Sequence, residues 1–386
     1  MKVLFIGSRL YDDVSYHVNE LGIESIITES NEEAPNLDLP TRHYIVPRGM
    51  DKPMKIAVEE NVDAIVPLLG IDPPLKDVAI MKEHIEREHN IPVISSNIKV
   101  VEIASDKIKT KKFFKSIGLN VPESKVLNKS DLMEDEEFIS EDKFIEKLGF
   151  DFPIVLKQGE GQGGKDICIT ADYDDVLTYF ESFDTALIEK FIEGAEVSIE
   201  VIGWNGEYLP LVPIYKGDTN LDGIHPIKRL RYGPCDFENF DNEEFRKLAK
   251  HIAVNLKSEG TIDMDLIYSR QENKVYAIEI NTRPSGTRYL SYATCGLSPL
   301  NLLVDIAIGN FDVNELEKEL KHYYSLEIPI GDYSGPEPNE PIKEYINGNF
   351  IVHGPKGYQR ITIRGNTREE TYKIAEELTG NDYSEK

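Results

Sequence analysis

A mixed fold, α/β at its start and α+β overall, is predicted for this 386-residue chain by three observations. Short apolar runs alternate with helical stretches over the first hundred or so residues, the pattern of a parallel sheet with covering helices. A lysine-ended apolar run at 152–157 passes directly into a glycine-rich stretch. Late in the chain, residues 260–268 and 275–283 are joined by a polar turn at 269–274 and read as a hairpin of strands.

In chain order, 2–6, 24–28 and 63–68 are predicted as buried strands, with helical stretches such as 79–88 between them. They set a first domain at 1–97. Gly7 and Ser8 after the first strand could form a nucleotide turn; the other reading is that this domain contributes part of a substrate wall. The loop Gly70-Ile-Asp-Pro-Pro74 lies at the carboxyl end of a strand, where open α/β sheets carry their ligands. Ser105 is expected to cap a helix through Phe114 that Gly118 ends, with Pro122 beyond. Lys107 in its first turn either reaches back toward a cleft or is a solvated helix lysine. Residues 128–143 read as an acidic, mobile surface insertion.

In the run Gln158-Gly-Glu-Gly-Gln-Gly-Gly164, glycines at 159, 161, 163 and 164 let backbone N–H groups fold closely over phosphates. Lys157 stands beside them as a point charge. Residues 167–170 read as a returning strand, so a flap between two strands fits better than a dinucleotide fingerprint, which needs a helix there. An ordinary turn is the other reading. Next come a strand at 186–192, the break Glu193-Gly194 and a strand at 196–202. Such a strand end can read an adenine edge while a glutamate beyond it accepts ribose hydroxyls; plain strands with solvated glutamates are the alternative. Asn205-Gly206 signals a tight hairpin turn. Residues 215–233 are glycine-rich and locally basic, and Lys228, Arg229 and Arg231 either clamp an anion or form a bland basic loop. An amphipathic helix is expected at 242–257.

In the late hairpin, alternation puts Glu279 and Asn281 on one face, and the neighbouring strand can present Asp265 beside them. Two carboxylates and an amide oxygen are hard donors that suit Mg²⁺, or Mn²⁺, holding nucleotide phosphates. Arg283, two residues further on, could grip phosphate or carboxylate oxygens. A surface hairpin with solvated charges is the bland reading. The tail 311–386 begins with a charged helical stretch and a proline-rich link, then shows a β–β–α pattern from Asn349.

The formal charge is −26 and the pI about 4.8, which opposes nucleic acid as a partner. Cys168, Cys235 and Cys295 show no metal spacing and no disulfide framework, as expected for a reducing cytoplasm. No apolar run approaches the length of a membrane span, and the first is too short for a signal peptide, so no membrane partner is expected. The eight histidines form no paired ligand motif.

From roughly 98 to 310 the chain resembles ATP-grasp ligases of the carbamoyl-phosphate-synthetase-like branch. The most specific stretch is Glu279-Ile-Asn-Thr-Arg-Pro-Ser-Gly-Thr-Arg-Tyr-Leu-Ser-Tyr-Ala-Thr-Cys-Gly296. The resemblance implies an ATP-grasp domain at 98–310, with a lid at about 125–192 and a small closing domain at 311–386. It implies ATP lysines at Lys107 and Lys157 and a phosphate flap at Gly159, Gly161, Gly163 and Gly164. Glu189, Lys190, Phe191 and Ile192 would frame adenine, and Glu196 would hold the ribose. Asp265, Glu279 and Asn281 would bind magnesium. Arg283 would face the transferred phosphate, with Lys157 and Arg288 as further catalytic cations.

The family's second arginine falls at Gly286, and Arg288 two residues later is the available substitute. Only one grasp module and no glutaminase Cys/His segment are visible, so full carbamoyl-phosphate synthesis is not expected. The implied function is an ADP-forming, cytoplasmic ligase joining a small-molecule carboxylate to an amine through an acyl-phosphate, with a homodimer as the family default. Archaeal ligases of similar appearance make small γ-glutamyl amides or cell-wall peptides. A bicarbonate-activating enzyme, a non-catalytic ATP-binding regulator and a dinucleotide oxidoreductase are the alternatives.

Overall fold

The computed structural model describes residues 1–161, 166–221, 229–335, 345 and 349–383. Gly163, Gly164 and Lys228 lie outside the described residues. The N-terminal sheet runs Arg42–Ile45, Glu24–Glu29, Lys2–Ile6, Ala64–Pro67 in space, all parallel. Because successive residues of a strand face opposite ways, Leu4 and Ile6 pack with Val78, Met81 and Ile85 of helix Leu75–His89. Val3 and Phe5 join a different core, shared with Leu300 and Leu303 of helix Pro299–Ala307. The first strand is apolar on both faces for that reason, and it binds the N-terminal sheet to the remainder of the molecule.

Helix Lys107–Ser116 does not start where expected. Asn97 caps a separate helix, Ile98–Ser105, and Asp106 rather than Ser105 caps the next. The Asp106 carboxylate accepts from Ile108 N and Lys109 N at 2.9 and 3.0 Å, satisfying two of the N–H groups that a helix start leaves open.

Strands Ser124–Asn128, Thr185–Lys190, Ile154–Lys157 and Cys168–Thr170 form an antiparallel sheet in that order. Helices Glu141–Leu148 and Tyr173–Ser182 cover it around Phe144, Leu156 and Phe180. The stretch expected as a mobile acidic loop is built into this unit. It holds a 3₁₀ turn at Lys129–Leu132 and the two-residue strands Met133–Glu134 and Glu137–Phe138. Leu132 and Ile139 anchor it by burial, apolar positions that the charged tip between them obscures in the sequence.

The third sheet has nine antiparallel strands among the described residues. Its main path runs Lys274–Asn281, Gly260–Ser269, Ala195–Trp204, Ile214–Asp218, Arg231–Gly233, Tyr324–Gly331, Gln359–Gly365, Phe350–His353, and Glu207–Pro210 pairs with Ala195–Trp204 off that path. Asn205 and Gly206 take φ of 51° and 83° in the turn before Glu207. Among the described residues the tail supplies Tyr324–Gly331 as well as the two expected strands, then helix Arg368–Thr379, in the order β–β–β–α. Val197, Ile199, Val201, Ile262, Met264 and Leu266 form the sheet's apolar back, covered by Phe245, Ala249, Ile252 and Leu256 of helix Asn242–Leu256. The opposite parity of the same strands carries Glu196, Ser198, Glu200, Asp263 and Asp265. No helix among the described residues is long and apolar enough to cross a membrane.

Candidate active site

The front face of that sheet gathers acid. Asp265 stands opposite Glu279, and Asp263 opposite Asn281, in the register of the two last strands of the hairpin. Burial and the neighbouring Asp265 raise the Glu279 carboxyl above its ordinary value. Burial and Asp265 likewise push Asp263 up to about 6. Two carboxylates so placed call for a cation. One is already there: Lys216 Nζ lies 2.5 Å from Asp265 Oδ1. Burial alone would lower the Lys216 ammonium, but Asp265 and Asp263 outweigh it and hold it above its ordinary value.

Beyond Glu279 the strand end forms a polar line. Asn281 Nδ2 approaches Glu279 Oε1 at 3.4 Å, and Asn281 Oδ1 accepts from Arg283 Nη2 at 3.3 Å. Arg283 Nε donates to Asp72 Oδ1 at 2.5 Å, which brings the 70–74 loop of the N-terminal sheet to this edge. Two buried carboxylates set the loop that follows. Glu200 Oε1 accepts from Ser285 N at 2.9 Å. Ser198 donates to Asp263 at 2.6 Å and lies 3.3 Å from the Thr287 hydroxyl.

Lys107 is close enough to Glu279 to feel its charge; its N donates to Gly159 O at 2.9 Å and its Nζ to Gly161 O at 2.8 Å. The first ATP lysine of the sequence reading thus meets the start of the glycine run. Burial depresses the Lys107 ammonium, while Glu279 draws it up. Lys157 Nζ sits 2.7 Å from Glu189 Oε2, and Lys111 holds the other Glu189 oxygen. Lys190 N and Phe191 N are bonded to Glu123 O and Pro153 O, and Ile192 O accepts from Thr219. Glu196 Oε1 is paired with Arg229 Nη1 at 2.8 Å.

Asp265, Glu279, Asn281 and Arg283 therefore share one edge, with Lys107 and Lys157 near enough to act on Glu279 and Glu189 paired to Lys157. Arg288 is held by the N-terminal unit. Its Nε and Nη2 both lie 2.9 Å from Asp13 Oδ2, and Asp13 also accepts from the Tyr289 hydroxyl. Arg288 ties the N-terminal unit to the loop after Arg283, where its Nη1 donates to Ser285 O at 3.5 Å. At Gly286, the position of the family's second arginine, an added Cβ would meet nothing within 4 Å. Sequence reasoning passed over Lys111, Lys216, Glu200 and Asp263. Three of these had a signal: Lys111 follows Lys107 by one helical turn, and Glu200 and Asp263 keep the period-two parity of Glu196 and Asp265. Lys216 had none, because its partner lies 49 residues away.

An ATP-grasp domain family model matches residues 104–287. A Methanobrevibacter smithii protein called carbamoyl-phosphate synthase is 55% identical over 378 residues, covering 98% of this chain and 100% of its own length. The chain belongs to the ATP-grasp family. Within it the chain falls in the carbamoyl-phosphate-synthase-like branch, and it is an ADP-forming ligase. It is also 23% identical to the Clostridium botulinum carbamoyl phosphate synthase large chain over 426 residues, but spans only 38% of that protein.

Among solved structures, it resembles the biotin carboxylase domain dimer of Hydrogenobacter thermophilus 2-oxoglutarate carboxylase, crystallised with MgADP, ADP and bicarbonate. That match has a TM-score of 0.73 and 19% identity, over 99% of this chain and 90% of that one. The L-amino acid ligase of Bacillus licheniformis has the same TM-score at 18% identity, over 98% and 97% of the two chains. At these identities the structures speak for the fold alone.

The residues present fit magnesium. Among the described residues, no three His, Cys, Asp or Glu side chains form a metal cage on their own. Mg²⁺ is ordinarily held by one or two carboxylates with phosphate and water oxygens completing its shell. The like-charged pair Asp265 and Glu279 would supply two such ligands, and the Asn281 amide oxygen, which accepts from Arg283 in this structure, would join them once the amide turns.

Proposed function

We propose that this ATP-grasp ligase activates a small carboxylate as an acyl-phosphate and couples it to an amine. The observation that carries this reading is the unbroken edge Asp265, Glu279, Asn281, Arg283 with Lys107 and Lys157 near enough to act on Glu279. Asp265, Glu279 and Asn281 would hold Mg²⁺, or Mn²⁺, which neutralises the phosphates when bound. Lys157 and the backbone of the glycine run position the γ-phosphoryl group, and Lys107 ties that run to the helix beneath it. The substrate carboxylate oxygen attacks the γ-phosphorus and ADP leaves. Arg283 steadies the acyl-phosphate while the amine nitrogen attacks the acyl carbon; phosphate departs and the nitrogen gives up a proton. Positioning and charge stabilisation supply the acceleration, as in phosphoryl transfer generally. Lys190 to Ile192 would border adenine, Glu196 would meet the ribose after parting from Arg229, and Arg288 would act by fixing the Arg283 loop.

A second reading takes bicarbonate as the acid, giving carboxyphosphate and then a carbamate. The name of the 55% identical relative favours it. Hydroxylamine separates the two: with Mg-ATP and a pool of carboxylic acids, the first reading yields an acid-specific hydroxamate. Bicarbonate-dependent ADP release with no hydroxamate from any organic acid would replace it by the second. A homodimer, by likeness to the carboxylase-domain dimer, is the assembly to look for by light scattering.

A further inference from the structure

Glu189 is 4% exposed, and its two oxygens hold two different lysines. Lys157 comes from strand Ile154–Lys157 and Glu189 from its neighbour Thr185–Lys190, on the same face of the sheet. Lys111 enters from helix Lys107–Ser116, and its ammonium also donates to Pro122 O at 2.9 Å. One glutamate with one lysine is neutral. The second lysine leaves the trio at +1.

A carboxylate 2.7 Å from Lys157 would by itself cancel the charge that an incoming phosphate meets. We infer that Lys111 is a positioning residue of the nucleotide site, which neutralises Glu189 and so leaves the Lys157 charge to the phosphates of the nucleotide. The inference rests on Lys157 being the nucleotide lysine. It adds a residue to which neither the sequence reading nor the family match assigns a role.

The surroundings of Lys111 make the device sensitive to pH. The charged groups that act most strongly on it are Glu189, Lys157 and, on its own helix, Lys115. Burial pushes the Lys111 ammonium down to about 8, with Glu189 drawing it up and the two lysines adding to the fall. Glu189 stays ionised: burial would raise it, but Lys157 and Lys111 hold it below its ordinary value. As pH rises through about 8, the trio passes from +1 to neutral and a phosphate loses its excess cation.

The test is titration of the full chain with Mg-ADP between pH 6.5 and 9.5 (roughly the span over which such a lysine titrates). The wild-type Kd is expected to rise about tenfold across that range, the worth of one charge-assisted contact. Lys111→Met should bind about tenfold more weakly at neutral pH and show a flat profile. Lys111→Arg should bind like wild type at neutral pH and also stay flat, because a guanidinium does not titrate there. A Lys111→Met protein with wild-type affinity, or either variant keeping the wild-type pH profile, overturns the inference. If Lys111→Met does not fold, the profile of Lys111→Arg decides alone. Wild-type protein that binds no Mg-ADP at any pH overturns the nucleotide site itself, and this inference with it.

Discussion

Asp265 and Glu279 face each other across a hairpin because the pleat leaves them no other side, and each makes the other's charge more costly. On the proposed function that tension is what a bound cation relieves, so the pair serves the metal rather than stability. Glu279→Gln is accordingly expected to cut ATP turnover by about 100-fold or more. Its urea midpoint should stay at or above that of wild type, since one of two like charges is gone. A stable variant with unchanged ADP release would remove Glu279 from the metal set.

Glu200 gives a prediction of opposite kind. Burial and Asp263 push its carboxyl up to about 8, against about 4.3 in an unfolded chain. The stability that its proton confers is full below the unfolded value and is lost as pH rises through the folded one. Glu200→Gln keeps the acceptor for Ser285 N, so its melting temperature should exceed that of wild type by a margin that grows from pH 5 to pH 8 (roughly the interval between the two values) and then levels off. Calorimetry at both ends checks this, and a constant margin would contradict it. Asp265, Glu279, Asn281 and Arg283 were legible in the sequence because strand parity alone puts them on one side. The partners they acquire, Lys216 and Asp72, come from remote segments and were not.

Among elements, the strands of the central sheet could be read from their alternation, and the Asn205-Gly206 turn from the left-handed backbone it requires. Strand Tyr324–Gly331 escaped because its interior Glu327 breaks the apolar pattern. The structure repays that buried charge with Arg360 Nε at 2.5 Å, Arg231 Nη1 at 3.2 Å and Thr362. The Asp106 cap was missed for a simpler reason, two adjacent residues that can each cap. At the entry to strand Ala195–Trp204, Gly194 N donates to Thr219 Oγ1 and Thr219 N to Gly194 O, each at 2.9 Å. A Cβ on Gly194 would meet Tyr268 O at 2.3 Å. Gly194→Ala must therefore shift backbone in two strands of the site, and a loss of about 1–3 kcal/mol in urea unfolding is expected. An unchanged midpoint would show that the sheet can open there without strain.

The whole molecule is held as one by contacts that no local pattern announces. Asp13 takes Arg288 and Tyr289, Asp72 takes Arg283, and His17 lies 2.8 Å from Asp305. The N-terminal parallel sheet could be anticipated from element order; the ion pairs that reach out from it could not. Arg288→Ala leaves Asp13 buried without its cation and should destabilise the fold by about 3–5 kcal/mol. Glu279→Gln should not, so the two variants separate a structural arginine from a chemical carboxylate. Equal stability of the two proteins would return Arg288 to the surface of the reaction site.

The decisive measurement is ADP and phosphate release from Mg-ATP by the purified chain, screened against carboxylates, amines and bicarbonate, with Glu279→Ala as the blank. Release that requires one acid and one amine, and that vanishes in the blank, is the expected result. Release that persists undiminished in Glu279→Ala, or that never depends on any acid, would contradict a ligase working at the Asp265–Glu279–Asn281–Arg283 edge.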